Sequence, residues 1–398
     1  MSEDLDLDIL ALSTSYPLRH GSTAGVFIQR LYAHLSASRV VVLCPADDRP
    51  SQDSTDGHIR LQPVRYAPQR WRRLAQQAGG VAPGIASNPA LILMLPLLLG
   101  SLWLKTWTGA RRASLIHANW AVCGAIAVVA GKLSGRPVVT TLRGDDVSRS
   151  SRSWFERMLL QTAVKGSCTV VCVSVAMAAT LRETFPAHAH KVAVCENGVD
   201  ETFLDVPRNS PASNVMRIAA VGSLIPRKAF DVLLSAVAVA SHAEHLQLSI
   251  IGAGPERKAL GHQASALGIA DRVRFVGEVS PAAMPAALAE FDILVMSSRS
   301  EGRPNVVMEA LAAGLPVIST ALPGVIGLVD DGVTGWLVNV DDSHGLARAL
   351  DEAAANAEER QRRGVAARER MQSDGGWSRT AKEYEAIFRR AALAKGNV

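Results

Sequence analysis

The richest chemistry in the sequence lies in residues 297–314, SSRSEGRPNVVMEALAAG, which follow the strand-like run FDILVMS. A proline of the kind favoured in the first turn of a helix places a helix N-terminus near Asn305 and Val306, whose N–H groups can bind an anion. Glu301 and Glu309 flank this turn, and a carboxylate accepts paired hydrogen bonds from vicinal hydroxyl groups. The segment predicts a site for a ligand with phosphate and sugar hydroxyls; two solvated helix acids are the alternative.

Two further loops follow strand-like runs and precede helical patterns. In VGSLIPRKAFD, residues 221–231, Arg227 and Lys228 can neutralise a diphosphate as charge accumulates on it, or they are exposed loop cations. In IIGAGP, residues 250–255, the glycines allow a tight turn after a strand. This loop lacks the third glycine and the later acid of a dinucleotide fingerprint, so we expect no nicotinamide cofactor.

These loops belong to a chain in which short β-branched runs alternate with longer helical patterns. The alternation predicts an α/β protein with parallel sheets covered by helices on both faces. The predicted strands are residues 7–12, 39–43, 115–117, 138–142, 169–173 and 191–194, then 216–221, 246–251, 273–275, 293–296 and 317–319. A hairpin-like segment, DGVTGWLV, follows at residues 331–338.

The length of 398 residues and a Pro-, Ser- and Asn-rich stretch predict two domains. The predicted parts are a first Rossmann-like domain, a linker and a second Rossmann-like domain over residues 1–205, 206–214 and 215–376. Residues 377–398 are more helix than the second sheet needs, so we predict that Tyr384 and Phe388 pack them back onto the first domain. Because open α/β sheets bind ligands at the carboxyl ends of their strands, a cleft between the domains is the expected site.

Composition narrows the class of protein. With 48% hydrophobic and 20% charged residues, the chain is typical of a folded protein rather than a disordered one. The five cysteines lack the paired spacing of a zinc site, and we expect them to be reduced core residues. Acidic pairs are adjacent, as in DD, rather than the DxD of metal-dependent transferases, so we expect no metal.

Charge is distributed unevenly along the chain. The formal net charge is +5, but residues 57–144 contain no acid and 11 Lys or Arg residues, including Arg70, Arg72 and Arg73 around Trp71. Such a segment favours an anionic membrane face or a lipid phosphate as partner over nucleic acid, for which no motif is present. A solvated basic surface without a partner is the alternative.

An apolar run and the N-terminal residues indicate where in the cell the protein is expected to lie. The run at residues 90–104 has 15 residues, short of the ~20 that span a bilayer, so a core helix or an interfacial helix is preferred to a membrane span. Residues 1–8 carry four acids and no basic region before the first apolar run, which argues against a signal peptide. We therefore expect a cytoplasmic protein, peripheral at the inner face of the membrane.

Nine motifs follow one another in a recognisable order along nearly the whole chain. They are GVFIQRLYAHL (25–35), IHANW (116–120), PVVTTLRGDD (137–146), ENGVD (196–200), VGSLIPRKAFD (221–231), IIGAGP (250–255), FVGEV (275–279), EGRPNVVMEALAAGLPVIST (301–320) and DGVTGWLV (331–338). In these motifs the chain resembles the retaining nucleotide-sugar glycosyltransferases of family four. The resemblance implies the two-domain GT-B fold.

The resemblance also implies a donor site in the second domain. Glu301 would contact the donor sugar, and Arg227 and Lys228 would contact the diphosphate. These three residues would be the catalytic residues. The other donor-binding positions that it implies are Glu309 at the ribose, Asn305 and Val306 through their main-chain N–H groups, and Gly302, Gly254, Gly277 and Val279, with the backbone at 277–279 facing the base.

On the acceptor side the resemblance implies roles for Gly25, Arg143 and Asp145, and His117, at the end of a predicted strand, could contact the ligand. A structural histidine is the alternative at His117. Three motifs depart from the family pattern. Ser223 stands where many members have arginine, Arg143 stands where the family has histidine and could bind an acceptor phosphate, and PGVIG at residues 323–327 lacks the usual glutamate.

The implied reaction is a metal-independent transfer, with retention, from a nucleoside diphosphate sugar to an acceptor hydroxyl. The nucleotide sugar is a co-substrate, and no cofactor is expected. The acceptor is expected to be a glycan or a lipid-linked glycan of polysaccharide or glycolipid biosynthesis, and the departing phosphate helps to deprotonate it. A nucleotide-sugar epimerase and a non-catalytic sugar-nucleotide or lipid-binding protein are the alternatives.

Overall fold

The computed structural model describes residues 7–19, 21–36, 38–74, 89–143, 146–149, 153–208, 215–374 and 376–394. The chain forms two compact units, one of Met1–Asn197 with Trp377–Val398 and one of Gly198–Gly376. The division comes before residue 205, where the sequence placed it, because Val199, Phe203 and Val206 pack into a hydrophobic core of the second unit.

The first unit is built on an eight-stranded sheet. Its strands are β1 (Leu7–Leu12), β2 (Ser38–Pro45), β3 (Ser54–Asp56), β4 (Ile59–Val64), β5 (Leu115–Asn119), β6 (Val138–Leu142), β7 (Thr169–Cys172) and β8 (Val192–Val194). They lie in the order β3-β4-β2-β1-β5-β6-β7-β8, and β3 and β4 form an antiparallel pair beside otherwise parallel neighbours. The parallel strands are buried along most of their length because helices cover both faces.

Six α-helices lie in the described residues of the first unit before Asn197. They are α1 (Val26–Ala33), α2 (Leu95–Ala110), α3 (Ala121–Ser134), α4 (Asp146–Arg149), α5 (Trp154–Gly166) and α6 (Val175–Thr184). Residues of α1 pack with β1 and β2 in one core, whereas residues of α2 and α3 pack in another. Residues of α5 and α6 form a third core with β6, β7 and β8.

The second unit is a six-stranded parallel sheet with helices. Its strands are β9 (Met216–Val221), β10 (Leu246–Ile251), β11 (Val273–Gly277), β12 (Ile293–Met296), β13 (Val317–Thr320) and β14 (Gly335–Val338). Their order is β11-β10-β9-β12-β13-β14. The helices are α7 (Phe230–Val239), α8 (Arg257–Ala266), α9 (Met284–Leu288), α10 (Asn305–Ala312), α11 (Ser343–Ala355) and α12 (Ala357–Ser373).

The last helix, α13 (Gly376–Leu393), packs on the first unit, as the sequence predicts. Its buried residues recur every three or four positions, which makes one face of the helix apolar. Tyr384 and Phe388 join the core of β1 and α1, and the Tyr384 hydroxyl lies 3.1 Å from Oγ1 of Thr141. The Glu385 carboxylate accepts hydrogen bonds from the backbone N–H and the hydroxyl of Ser36.

The strand pattern confirms the predicted parallel α/β fold, with two corrections. Residues 331–338 are not a hairpin, since β14 pairs in parallel with β13 at the edge of the sheet. Among the described residues, β3 and β4 form an antiparallel hairpin, which was not predicted from the sequence. One expectation about the cysteines is also wrong, because Cys168 is exposed, whereas the other four are buried.

The apolar helical segment that contains α2 is longer than the 15-residue run at 90–104 seen in the sequence. A 3₁₀ helix, Pro89–Met94, leads directly into α2, and Ala90–Ala110 is long and apolar enough, by length and composition only, to cross a membrane. One face of α2 is a core face, formed by Leu98 and Leu102. Elsewhere the segment is exposed and apolar, with 71% of Leu93 and 50% of Leu97 accessible.

Candidate active site

An acid held between two cations lies at the carboxyl ends of β9 and β12. Oε1 of Glu301 is 2.7 Å from Nζ of Lys228, and Oε2 is 3.2 Å from Nη1 of Arg227. The Ser298 hydroxyl donates a further hydrogen bond of 2.8 Å to Oε1. The side chains of Glu301 and Lys228 are only 9% and 14% exposed, so water screens their attraction weakly.

Hydrogen bonds between two loops fix this cluster. The Ser297 hydroxyl, at the end of β12, donates to the carbonyl oxygens of Lys228 and Ala229. In return, Nη1 of Arg227 donates to the carbonyl oxygen of Ser300 at 2.8 Å. The two loops therefore hold one another, and the charged groups are preorganised rather than free to rotate.

The cluster keeps Glu301 ionised. Burial alone would raise the pKa of this carboxyl, but Lys228, then Arg227, and the hydrogen bonds from Lys228 and Ser298 outweigh it. The pKa of Glu301 consequently lies below its ordinary value of 4.5. A carboxylate here can accept hydrogen bonds from hydroxyl groups, and it cannot act as a general acid near neutral pH.

Close backbone packing explains two glycines around the cluster. A Cβ atom on Gly254 would lie 2.4 Å from the carbonyl oxygen of Leu224, so this glycine lets the β10 loop rest on the β9 loop. A Cβ atom on Gly324 would lie 2.2 Å from the carbonyl oxygen of Gly302. The PGVIG loop therefore supports the backbone that carries Glu301, although it lacks the family's glutamate.

Helix α10 begins beside the cluster. Pro304 is its N-cap and Asn305 its first residue, so the helix begins where the sequence predicts an N-terminus. The first N–H groups of an α-helix have no partner within the helix and carry its positive dipole end. Val307 and Met308 anchor the turn in the core, and Glu309 lies one turn beyond Asn305 and is half-buried.

The predicted base-facing backbone lies at the end of β11. Gly277 is the last residue of this strand and has a φ of +85°, and its carbonyl oxygen accepts a 2.7 Å hydrogen bond from the N–H of Gly252. Val279 packs against a core of the same unit. Contact of these residues with a base stays a prediction.

The predicted acceptor-side residues belong to the first unit. Gly25 caps α1 with a left-handed φ of +71° and lies close to Ser15, where a Cβ atom would meet the carbonyl oxygen at 2.4 Å. Arg143 directly follows β6 and is buried. Asp145 lies outside the described residues. The structure thus places Gly25 and Arg143 at loops that follow the carboxyl ends of strands.

His117 lies inside the core of the first unit rather than at its surface. Its Nδ1 is 2.8 Å from the Tyr32 hydroxyl and its Nε2 is 2.9 Å from Oγ1 of Thr141. Burial, with a smaller contribution from Arg143, lowers the pKa of His117 to about 3, so the ring is neutral. Both nitrogens are used within the protein, which favours the structural alternative for this residue.

Several polar residues of these sites were not singled out from the sequence. Asn119 and Asn197 accept hydrogen bonds from the Arg143 guanidinium, and Ser298 donates to Glu301. The asparagines belong to IHANW and ENGVD, and each follows or ends a strand, so their position was a usable signal. Within the part of the chain that the structure describes, no group of three His, Cys, Asp or Glu side chains could hold a metal ion.

Two parallel-sheet α/β units, one carrying an acid–cation cluster beside a helix N-terminus, define a glycosyltransferase of the GT-B fold. Comparison with known families agrees with this class. Residues 24–203 match the family described as Glycosyltransferase Family 4, and residues 207–370 match Glycosyl transferases group 1. The chain belongs to these glycosyltransferases, and enzymes of this type act on nucleotide sugars.

Individual relatives share the same class. The chain is 35% identical over 161 residues to the lipopolysaccharide core biosynthesis glycosyltransferase LpsE of Rhizobium meliloti, an alignment that covers 40% of this chain and 44% of LpsE. It is 25% identical to the glycogen synthase of Mycobacterium tuberculosis over 96% of this chain and 94% of that protein. HepE of Anabaena, solved with UDP and glucose, superposes with a TM-score of 0.75 at 19% identity, covering 96% of this chain and all of HepE.

Proposed function

We propose that this chain transfers a sugar from a nucleoside diphosphate sugar to a hydroxyl of a glycan or lipid-linked glycan, with retention at the anomeric carbon and without a metal ion. The observation that carries the proposal is the Glu301 carboxylate between Lys228 and Arg227, next to the N-terminus of α10. The name of LpsE supports a lipopolysaccharide-type acceptor. The UDP and glucose bound to HepE support a nucleotide-sugar donor.

The positive and negative groups of the cluster have different roles in the proposed reaction. As the bond from the anomeric carbon to the diphosphate breaks, the electron pair and negative charge pass to the phosphate oxygen. Lys228, Arg227 and the first N–H groups of α10 stabilise that charge, which is the usual source of large rate effects at such sites. Glu301, kept ionised, accepts hydrogen bonds from sugar hydroxyls and orients the ring, and Glu309 holds the ribose.

The acceptor oxygen attacks on the face that the phosphate leaves. Its proton passes to the departing phosphate oxygen, which becomes available as a base when the bond to carbon breaks. No side chain of the cluster is needed as a general base, which fits the low basicity of the Glu301 carboxylate between two cations. Gly25, Arg143 and Asp145 stay the predicted acceptor-side residues, whereas the burial and partners of His117 favour a structural role for it.

Paired lysine variants test the donor site. Lys228→Ala should lower kcat by about 100-fold, since one preorganised charged donor at a reacting centre contributes about 3 kcal/mol. Lys258→Ala removes an exposed lysine of α8 and should leave kcat unchanged. The assay follows nucleoside diphosphate release from UDP-, GDP- and ADP-glucose with membrane vesicles as the acceptor source. Equal rates in the two variants would overturn the assignment.

Two measurements test the stereochemistry of the transfer and its independence of a metal ion. An α-linked donor should give an α-linked product by proton NMR, since retention places the acceptor on the face that the phosphate leaves. The transfer rate should be unchanged after treatment with EDTA. A β-linked product would refute retention, and loss of activity that a divalent cation restores would refute metal independence.

We also propose that the first unit binds the anionic cytoplasmic face of a membrane, where a lipid-linked acceptor is presented. The exposed apolar side of the 89–110 segment supports this, with Leu93 and Leu97 at its start. Trp103 and Trp107 stack at 5.8 Å, and Arg111 lies 4.7 Å over the Trp107 ring. Aromatic rings beside cations and exposed leucines are typical of helices that lie in the interface of a bilayer.

The basic turn after β4 adds charge to the same side of the core. Trp71 is 49% exposed, and the guanidinium of Arg70 lies 5.6 Å over its ring. Leu74, which follows this turn, packs in one cluster with Leu98 and Leu102 of α2. Each Lys or Arg near an anionic surface contributes about 1 kcal/mol to binding, so the basic turn and the apolar helix act together.

Flotation with phosphatidylglycerol vesicles tests the membrane proposal. The wild-type protein should float at low salt, and a Leu93→Ser, Leu97→Ser double variant should not. Leu133→Ser is the matched control, since Leu133 is 61% exposed on α3 and lies outside the proposed surface. Equal flotation of all three proteins, or flotation of none, would refute the proposal. Absence of nucleic-acid binding stays a prediction.

A further inference from the structure

A buried arginine in the first unit has no counter-charge among the residues that the structure describes. Arg143 keeps 4% of its surface exposed, and it donates from Nε to Oδ1 of Asn119 at 3.0 Å and from Nη1 to Oδ1 of Asn197 at 2.8 Å. Its guanidinium carbon lies 4.8 Å from the centroid of the Phe27 ring. Nη2 is buried without a hydrogen-bond partner, and no ion pair joins Arg143 to another described residue.

Asp146, three residues further along the chain, binds backbone N–H groups. Asp146 accepts hydrogen bonds from the N–H of Arg143 at 2.8 Å and from the N–H of Ala121 at 3.3 Å. An arginine stays protonated in proteins, so the side chain is a buried positive charge held by two neutral amides and an aromatic face. Such partners compensate only part of the cost of removing a charge from water.

The position of Arg143 in the sheet explains why this cost is tolerated. Asn119 ends β5, Arg143 follows β6, and Asn197 follows β8, so all three lie toward the carboxyl edge of one parallel sheet. Ligands of open α/β sheets bind at that edge. A charge that destabilises the protein at a ligand-binding edge is typical of a group that a ligand neutralises.

A chain of buried hydrogen bonds orients the guanidinium. Nδ2 of Asn119 donates to the Tyr32 hydroxyl at 3.1 Å, which leaves Oδ1 of Asn119 facing Arg143. The Tyr32 hydroxyl then donates to Nδ1 of His117, and Nε2 of His117 donates to Thr141. The low pKa of His117 keeps this pattern fixed at neutral pH, since the ring has one proton to donate. Asn119, Tyr32 and His117 are thus positioning residues for Arg143.

We propose that Arg143 binds an oxyanion, a carboxylate or a phosphate, that is carried by a substrate. The inference rests on the proposed function and specifies its substrate class as negatively charged beyond the diphosphate. A guanidinium presents parallel N–H donors that match the two oxygens of a carboxylate or phosphate. Nη2 supplies the unused donor, and the oxyanion reaches it by displacing the atoms that cover the side chain.

Matched ligands that differ in one charged group test the proposal. UDP-glucuronate is compared with UDP-glucose for a carboxylate on the sugar. Inorganic phosphate is the probe for a phosphate on the acceptor. It is titrated with UDP, GDP and ADP present, so that the diphosphate site is occupied. The proteins are wild type, Arg143→Met, Arg143→Lys and Arg157→Met, the last removing an exposed arginine of α5 as a control.

The wild-type protein and Arg157→Met should bind at least one charged probe about tenfold more tightly than Arg143→Met does, as expected for a hydrogen bond between charged groups. For UDP-glucose the four proteins should be alike, which a merely structural role would not predict. Arg143→Lys should retain part of the preference, since lysine keeps the charge but loses the fork. Preference for UDP-glucuronate identifies the sugar as the source, and phosphate binding identifies the acceptor.

Equal binding of every charged probe by wild type and Arg143→Met would overturn the proposal. Arg143→Met should keep the wild-type Tm or exceed it, because it removes an uncompensated buried charge. If this variant fails to fold, the comparison of Arg143→Lys with wild type decides, since loss of the fork must weaken oxyanion binding. Failure of the proposed function is distinguishable, because it abolishes transfer with every donor, whereas failure here leaves transfer intact.

Discussion

Replacing Glu301 with glutamine should tighten nucleoside diphosphate binding while it slows transfer. The Glu301 carboxylate is bound to Lys228 and Arg227, the two cations proposed to hold the diphosphate. A diphosphate must therefore share these cations with an internal acid. Glutamine keeps the size of the side chain and removes its charge, so the competition disappears and the hydrogen bonds that orient the sugar weaken.

The magnitude follows from the geometry of the pair. At 2.7 Å and an effective dielectric constant of about 20, the attraction between Lys228 and Glu301 is about 6 kcal/mol before desolvation. Net contributions of hydrogen bonds to charged groups are about 1.5–3 kcal/mol. Release of about 1.5 kcal/mol to the ligand corresponds to about tenfold tighter binding. The rate should fall by about 100-fold, since Glu301 no longer orients the donor sugar.

Calorimetric titration of UDP, GDP and ADP measures the effect on binding. Glu309→Gln is the matched control because it makes the same chemical change eight residues away, on α10. It should weaken binding of the same nucleotide by about tenfold, since Glu309 is proposed to hold the ribose. Opposite signs separate a competing acid from a ligand-binding one. Weaker binding in both variants, or no change in Glu301→Gln, would refute the competition argument.

Three further outcomes are expected. The Tm of the wild type should exceed that of Glu301→Gln at pH 7, because the Glu301 carboxylate stabilises the fold while it is ionised. The difference in Tm should disappear as the pH falls below 4.5 and then through the lower pKa that Glu301 has in the folded protein. A difference that scanning calorimetry finds constant with pH would contradict this. Gly254→Ala should lower the free energy of unfolding by about 2 kcal/mol, because the new Cβ atom would clash with a carbonyl oxygen. Gly100→Ala is the control and should not lower it, since there is open space around Gly100. Equal Tm values for the two variants would refute the packing argument. Tyr384→Phe should cost about 1 kcal/mol through the lost hydrogen bond, and Tyr384→Ala about 3–5 kcal/mol through the cavity; an unchanged Tm in the alanine variant would mean that α13 does not stabilise the first unit.

The strands of both units could be predicted from the sequence where they were fully buried. The limits of β6 (VVTTL) and β9 (MRIAAV) were predicted correctly, since each run is largely buried and contains β-branched residues. The β3–β4 hairpin was missed because β3 is short and exposed, although Asp56 and Gly57 are a typical turn pair. The same Asp-Gly pair at residues 331–332 suggested a hairpin, but the strand that follows pairs in parallel with β13.

The candidate site was predictable residue by residue but not as an arrangement. The sequence indicated an acid at 301 and cations at 227 and 228, yet it could not show that they bind one another across 73 positions of chain. Arg143 was visible as a departure from the family pattern, whereas its lack of a counter-charge depends on which side chains surround it. The boundary at Asn197 likewise depends on which core Phe203 joins, and composition does not record that.

The place of α13 has a consequence for biosynthesis. The first unit is interrupted after Asn197 and completed only from Trp377, so the whole second unit is synthesised in between. While the ribosome makes residues 198–376, the core that later receives Trp377, Tyr384 and Phe388 lacks its aromatic cover. The second unit is contiguous in sequence and can fold as soon as it emerges. The order of completion is therefore the reverse of the order in which the two units begin, and the nascent first unit is the stage that depends most on protection from aggregation.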